Sequence, residues 1–97
     1  MELKDTIELM QSKEYKDRFL AEYYQVVIRA TKLRDMVIKY KKGELNFKPT
    51  CPVSVLEQQL KIMEAYTDLL ESRAIIENIK IPDSMKYINC VGIGFVK

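Results

Sequence analysis

Phe19, Tyr23, Val26, Ala30, Leu33, Val37 and Tyr40 recur at alternating spacings of four and three. This is one face of an α-helix with a heptad-like period. Residues 13–42 contain neither Gly nor Pro, so the pattern predicts a long uninterrupted helix. A second apolar set, Leu20, Tyr24, Val27, Ile28 and Ile38, lies beside the first and widens the face. A helix with one neighbour needs only a narrow stripe, so a face this wide predicts more than one packing partner. Ser12 is placed to cap the helix start, while Lys39, Lys41 and Lys42 suit the negative end of the helix dipole. Gly43 follows where a helix commonly ends.

Residues 44–51 break the period with Asn46, Pro49 and Thr50 and read as a connector. The same alternation then resumes at Val53, Leu56, Leu60, Met63, Thr67, Leu70 and Ala74, flanked by Tyr66, Leu69 and Ile76. Pro52 suits a first helical turn, and Ser54 with Glu57 has capping-box spacing. This second helix is expected to run to residue 77 or 78. At 1.5 Å per residue the two helices are about 45 and 37 Å long, and the short connector makes them an antiparallel hairpin. Residues 2–11 suit a short helix with Leu3, Ile7 and Met10 on one side.

Residues 79–97 have no helical period. Pro82 and Asp83 suggest a turn, and residues 86–96 are rich in β-formers with Gly92 and Gly94. That stretch reads as a strand pairing with another chain or as a loosely fixed tail. The expected class is therefore all-α, with a helical domain over 1–78 and a tail over 79–97.

Composition narrows the chemistry. The chain has 97 residues, one domain's worth, and about 30% of them are Leu, Ile, Val or Phe, enough for a core. A short chain buries a smaller fraction of its surface, which favours partners. There is no His, which removes Ser-His and Cys-His nucleophile pairs and imidazole metal ligands. Cys51 and Cys90 are too few and too far apart for a metal site or a disulfide framework, and read as reduced thiols. No Gly-rich phosphate loop precedes a helix. No cofactor, metal or catalytic residue is expected. No apolar run is long enough to span a membrane and the N-terminus does not resemble a signal peptide, so a cytosolic location is expected.

The formal charge of +2 conceals an asymmetry. Residues 13–42 carry nine Lys and Arg against four Asp and Glu, a net +5, which leaves −3 for the rest. A solvated helix face accounts for most such charge; the sharper reading is an anion site where several first helices meet. Tyr15 stands at the helix start beside Lys16 and Arg18, and an aromatic ring, cations and free helical N–H groups are what a nucleobase with phosphate needs. The low total charge argues against a stable complex with DNA or RNA.

Two segments carry a family resemblance. Tyr15-Lys16-Asp17-Arg18, then Glu22, Arg29, Lys32-Leu33 and Val37, resemble the pattern Tyr-x-x-Arg…Glu…Lys-x-x-Lys-Leu of the phage anti-CBASS sponge proteins, which sequester cyclic oligonucleotides. Leu56, Gln59-Leu60, Met63, Tyr66, Leu70 and Arg73 are similar to that family's second helix, Leu-x-x-Gln-Leu-x-x-Met-x-x-Tyr-x-x-x-Leu-x-x-Arg. The likeness covers residues 15–73.

It implies a homohexamer, acting in the cytoplasm of an infected bacterium, that holds cyclic di- or trinucleotides such as cyclic GMP-AMP between protomers without cleaving them and so keeps them from CBASS effectors. Carried across by position, it makes Tyr15 a base-stacking residue, Arg29 or Lys32 a phosphate or base contact, and Arg73 the closing basic residue of the second helix. With Lys16 and Arg18, these are the candidate ligand-binding residues. The alternative reading is a helical-hairpin phage protein that binds and inhibits a host protein with no small ligand.

Overall fold

The computed structural model describes residues 1–89. A 3-10 turn at Leu3–Thr6 runs directly into α1 (Ile7–Met10), followed by α2 (Tyr15–Lys41), α3 (Val53–Ile76) and a second 3-10 turn at Asp83–Met85. No strand occurs among the described residues. The two long helices lie antiparallel, as the short connector predicts. Tyr15 meets Glu77, Tyr23 meets Glu71, Arg34 meets Glu64 and Lys41 meets Glu57, so the start of α2 faces the end of α3.

The basic first helix and the acidic second helix therefore attract each other along their length, through Lys41–Glu57 at 2.6 Å and Arg34–Glu64 at 3.6 Å. These pairs are partly exposed, so each adds little to stability.

The core follows the predicted stripes where the helices touch. Phe19, Tyr23, Tyr24, Val27 and Ala30 of α2 pack against Leu70 and Ala74 of α3, with Leu60 and Met63 partly buried beside them. Tyr40, on the same stripe, is exposed and borders the connector. In the N-terminal segment, Ile7 and Met10 are exposed and Thr6 is the buried residue. The Thr6 hydroxyl donates to the Leu3 carbonyl at 2.7 Å and accepts from the Gln25 amide at 3.0 Å, which fastens the segment to α2.

Neither expected N-cap operates. α2 begins after Glu14, two residues beyond Ser12, so the Ser12 hydroxyl reaches only the Glu14 N–H at 3.0 Å and donates to the Asp17 carboxylate at 2.8 Å. α3 begins after Pro52, which places Ser54 inside the first turn, and Glu57 turns instead to Lys41.

Both long helices end in the same way. The Glu44 N–H reaches the Lys39 carbonyl at 2.9 Å and the Gly43 N–H the Tyr40 carbonyl at 3.0 Å, with Gly43 left-handed at φ +72°. At the end of α3, Ile79 bonds Ala74 at 2.8 Å and Asn78 bonds Ile75 at 3.3 Å, with Asn78 left-handed at φ +61°. These are Schellman motifs, and Asn is the residue after Gly that best tolerates the left-handed position.

The second motif decides the fate of the chain beyond the hairpin. By reversing direction at Asn78 it brings Ile79 onto Ala74, and Ile79, Ile81 and Tyr87 join the core. Residues 79–89, expected as a tail apart from the helices, are thus packed on them. Of the strand-like stretch expected over residues 86–96, residues 87–89 are helical instead, because Tyr87 turns into the core, and residues 90–96 lie outside the described residues. No helix among the described residues is long and apolar enough to cross a membrane.

Candidate ligand-binding site

The antiparallel register brings the first turn of α2 against the last turn of α3. There Tyr15 donates its hydroxyl to Glu77 Oε1 at 2.6 Å, and Arg73 donates Nε to Glu77 Oε2 at 3.0 Å and Nη2 to the Tyr15 hydroxyl at 2.9 Å. The three side chains close a ring of hydrogen bonds. The Arg73 guanidinium also lies over the Phe19 ring, 5.1 Å from its centre, and Phe19 sits 6.4 Å from Tyr15 at an interplanar angle of 57°. Phe19 is buried, so it holds the guanidinium plane in place from beneath. Lys16 donates Nζ to the Asn78 carbonyl at 3.4 Å, adding a second cation at the edge.

The proton affinities reflect this arrangement. The Glu77 carboxyl is held below its ordinary value, chiefly by the Tyr15 hydrogen bond and also by Arg73. The hydrogen bond to Glu77 pushes the Tyr15 hydroxyl up, and its bond to Glu77 pushes Arg73 up as well. Charged Arg73, charged Glu77 and neutral Tyr15 are therefore the stable forms. Further along α3, Tyr66 donates to Glu22, and Leu69 and Ile76 stand exposed beside Arg73 on the same side of the helix. The corner offers a half-exposed aromatic ring, apolar surface and two cations. A planar base with an anionic group matches those features.

Of the six candidate residues, Tyr15, Lys16 and Arg73 meet here. Arg18, Arg29 and Lys32 do not. All three are exposed on α2. Arg18 donates Nη1 to the Ser12 carbonyl at 2.9 Å. Arg29 and Lys32 make no hydrogen bond or ion pair among the described residues. They stand about 21 and 25 Å along the helix from Tyr15, too far to touch one small ligand from the same protomer. Lys32 borders a cleft of about 220 Å³ lined by Tyr24, Val27, Ile28, Thr31 and Met85. The Thr31 hydroxyl is buried without a partner.

Sequence reasoning did not single out Glu77 or Phe19 as part of this corner. Arg73 and Glu77 are four residues apart, a spacing that permits an ion pair on a helix, but the joining of both to Tyr15 depends on inter-helix register. A second network was also unforeseen. Tyr87 donates its hydroxyl to Glu64 at 2.8 Å and accepts from Arg34 at 3.4 Å, while its N–H reaches the Tyr23 hydroxyl at 3.0 Å. Among the described residues no group of His, Cys, Asp and Glu side chains is arranged to hold a metal ion.

Comparison with curated proteins and with solved structures gives no match. A family model does match, over residues 13–76, which takes in both long helices and every residue of the Tyr15–Arg73 corner except Glu77 and Asn78. The matched segment is two-thirds of the chain and is the same antiparallel pair that builds the candidate site: the protein belongs to the Sequestin family.

Proposed function

We propose that this chain binds and sequesters cyclic oligonucleotide second messengers, cyclic dinucleotides such as cyclic GMP-AMP foremost, and makes or breaks no bond in them. The observation that carries this reading is the convergence of Tyr15, Arg73 and Lys16 on one exposed corner, with an aromatic ring to stack a base and cations for phosphate. Family membership supports sequestration of a small molecule. Keeping such a messenger from the bacterial effectors it activates is the phage-encoded role that follows.

The separation of Arg29 and Lys32 from Tyr15 supports a site shared between protomers. A cyclic dinucleotide carries two negative charges, and a two-fold interface presents each cation twice. The outer face of α3 supports assembly as well. Val55, Ile62, Leu69 and Ile76 are exposed at intervals of seven, the spacing of a coiled-coil seam. A second copy of α3 on that seam gives the homo-oligomer, with a hexamer as the expected state. The same apolar seam is what a host-protein inhibitor would use, and it is the observation that favours that alternative.

Calorimetric titration with a panel of cyclic di- and trinucleotides, paired with native mass spectrometry, separates the two. Sequestration predicts saturable heat and ligand retained on an oligomer. Heat no different from buffer across the panel overturns it, and capture of a host protein by the ligand-free chain favours the alternative.

A further inference from the structure

Arg73 and Tyr15, the two residues best placed to receive a ligand phosphate, already hold an anion. Glu77 supplies it. One carboxylate oxygen accepts from Tyr15 at 2.6 Å and the other from Arg73 Nε at 3.0 Å, so each oxygen has its own donor. A phosphodiester presents the same display: one negative charge over two non-bridging oxygens, both free to accept. The two anions compete for one set of donors.

The seat is built so that the donors stay when the carboxylate leaves. Phe19, buried beneath Arg73, fixes the guanidinium plane at 5.1 Å, and the Arg73 Nη2 bond to the Tyr15 hydroxyl at 2.9 Å does not involve Glu77. Glu77 itself is the first residue past α3, followed by the left-handed turn at Asn78, and its side chain is partly exposed. Its release therefore needs only a rotation into water and no change of fold. Exposed ion pairs are weak, so a ligand that adds base stacking to its phosphate contacts outcompetes the carboxylate, whereas a simple anion gains little.

We propose that Glu77 is a resident counter-anion that occupies the Tyr15–Arg73 seat and must be displaced by a ligand phosphodiester, so that it sets the selectivity of the site for ligands that stack as well as carry charge. The nucleotide identity of that ligand rests on the function proposed above; the seat and its occupant rest on the ring geometry alone.

Glu77→Ala empties the seat and Glu77→Gln keeps its shape while removing the charge. Each variant and the unaltered chain would be titrated with cyclic GMP-AMP and, separately, with inorganic pyrophosphate, with oligomer mass followed throughout. Removing a competing exposed pair is expected to tighten cyclic dinucleotide binding by about fivefold. Pyrophosphate binding should rise by at least as large a factor, since that probe has no stacking to offset the competition. Unchanged or weaker pyrophosphate binding in both variants would show that Glu77 only fastens the helices, and overturns the proposal. If the unaltered chain ignores every cyclic nucleotide yet Glu77→Ala gains pyrophosphate binding, the functional reading fails and the occupied seat stands.

Discussion

The hairpin contains the same trio of side chains twice. Tyr15, Arg73 and Glu77 form one set and Tyr87, Arg34 and Glu64 the other, each joining a tyrosine hydroxyl to a carboxylate and a guanidinium. In both, the arginine also lies near an aromatic face, 5.1 Å from Phe19 in the first and 5.9 Å from Tyr87 in the second. They differ in access to water. Tyr15 is 48% exposed, whereas Tyr87 is 7% exposed and belongs to the core. Burial pushes the Tyr87 hydroxyl up to about 12, with the Glu64 bond adding to it. Identical chemistry thus serves two ends: the covered trio locks the segment after α3 to the helices, and the open trio leaves its donors within reach of a ligand.

Alanine at each tyrosine separates the roles most sharply. Tyr87→Ala removes a buried ring and is expected to cost roughly 3–5 kcal/mol of stability, read as a lower denaturant midpoint. Tyr15→Ala removes an exposed ring and should lower the denaturant midpoint far less than Tyr87→Ala does. It should instead weaken cyclic dinucleotide binding by about tenfold or more, a base–aromatic stack being worth about 1–3 kcal/mol, with the oligomer mass unchanged. Comparable destabilisation by the two substitutions would erase the distinction between the trios.

Titration tests the same distinction at opposite ends of the pH scale. The Tyr87 hydroxyl holds its proton more tightly in the folded chain than at the ordinary value of 10.0. Its contribution to stability is therefore complete below pH 10 and is lost as the pH rises through about 12. Tyr87→Phe should flatten this alkaline loss in a series of urea melts. Glu77 runs the other way: its carboxyl is depressed below 4.5, so its contribution is present above that value and disappears as the pH falls through the lower folded one. Glu77→Gln should flatten only the acid limb. An alkaline limb unaltered by Tyr87→Phe would mean that the covered trio does not hold its proton through burial.

The smallest effect belongs to the helix ends. Lys41 and Glu57 are 2.6 Å apart and both partly exposed. Lys41→Ala is expected to change stability by less than about 1 kcal/mol and to do so less at high salt. A larger loss would mean that this pair sets the hairpin's register and not merely its charge balance.

The heptad stripes of α2 and α3 were legible because burying apolar side chains at a period near 3.6 is the main force that makes a chain of this composition helical. Gly43 announced its turn because glycine is the residue that enters the left-handed region at least cost. Asn78 performs the same turn at the end of α3, yet asparagine is common enough on loops and helix ends to give no such signal. From that one reversal follow the burial of Ile79, Ile81 and Tyr87 and the packing of a segment whose sequence has no helical period. The candidate site divides in the same manner. Tyr15, Lys16 and Arg73 stood out by residue type and by resemblance, while Glu77 and Phe19 did not, since one reads as a solvated charge and the other as core.

Two amphipathic helices joined by a short connector, a basic first helix and the want of imidazole for acid–base work are all written in the order of residues. These depend on local period and composition, which each segment carries alone. Tertiary structure decided which tyrosine is covered and which is open, and that Arg73 meets Glu77 and Tyr15 on one corner while Arg29 and Lys32 lie far from it. Such pairings depend on the register of one helix against the other, an outcome of packing both faces at once that no single segment encodes.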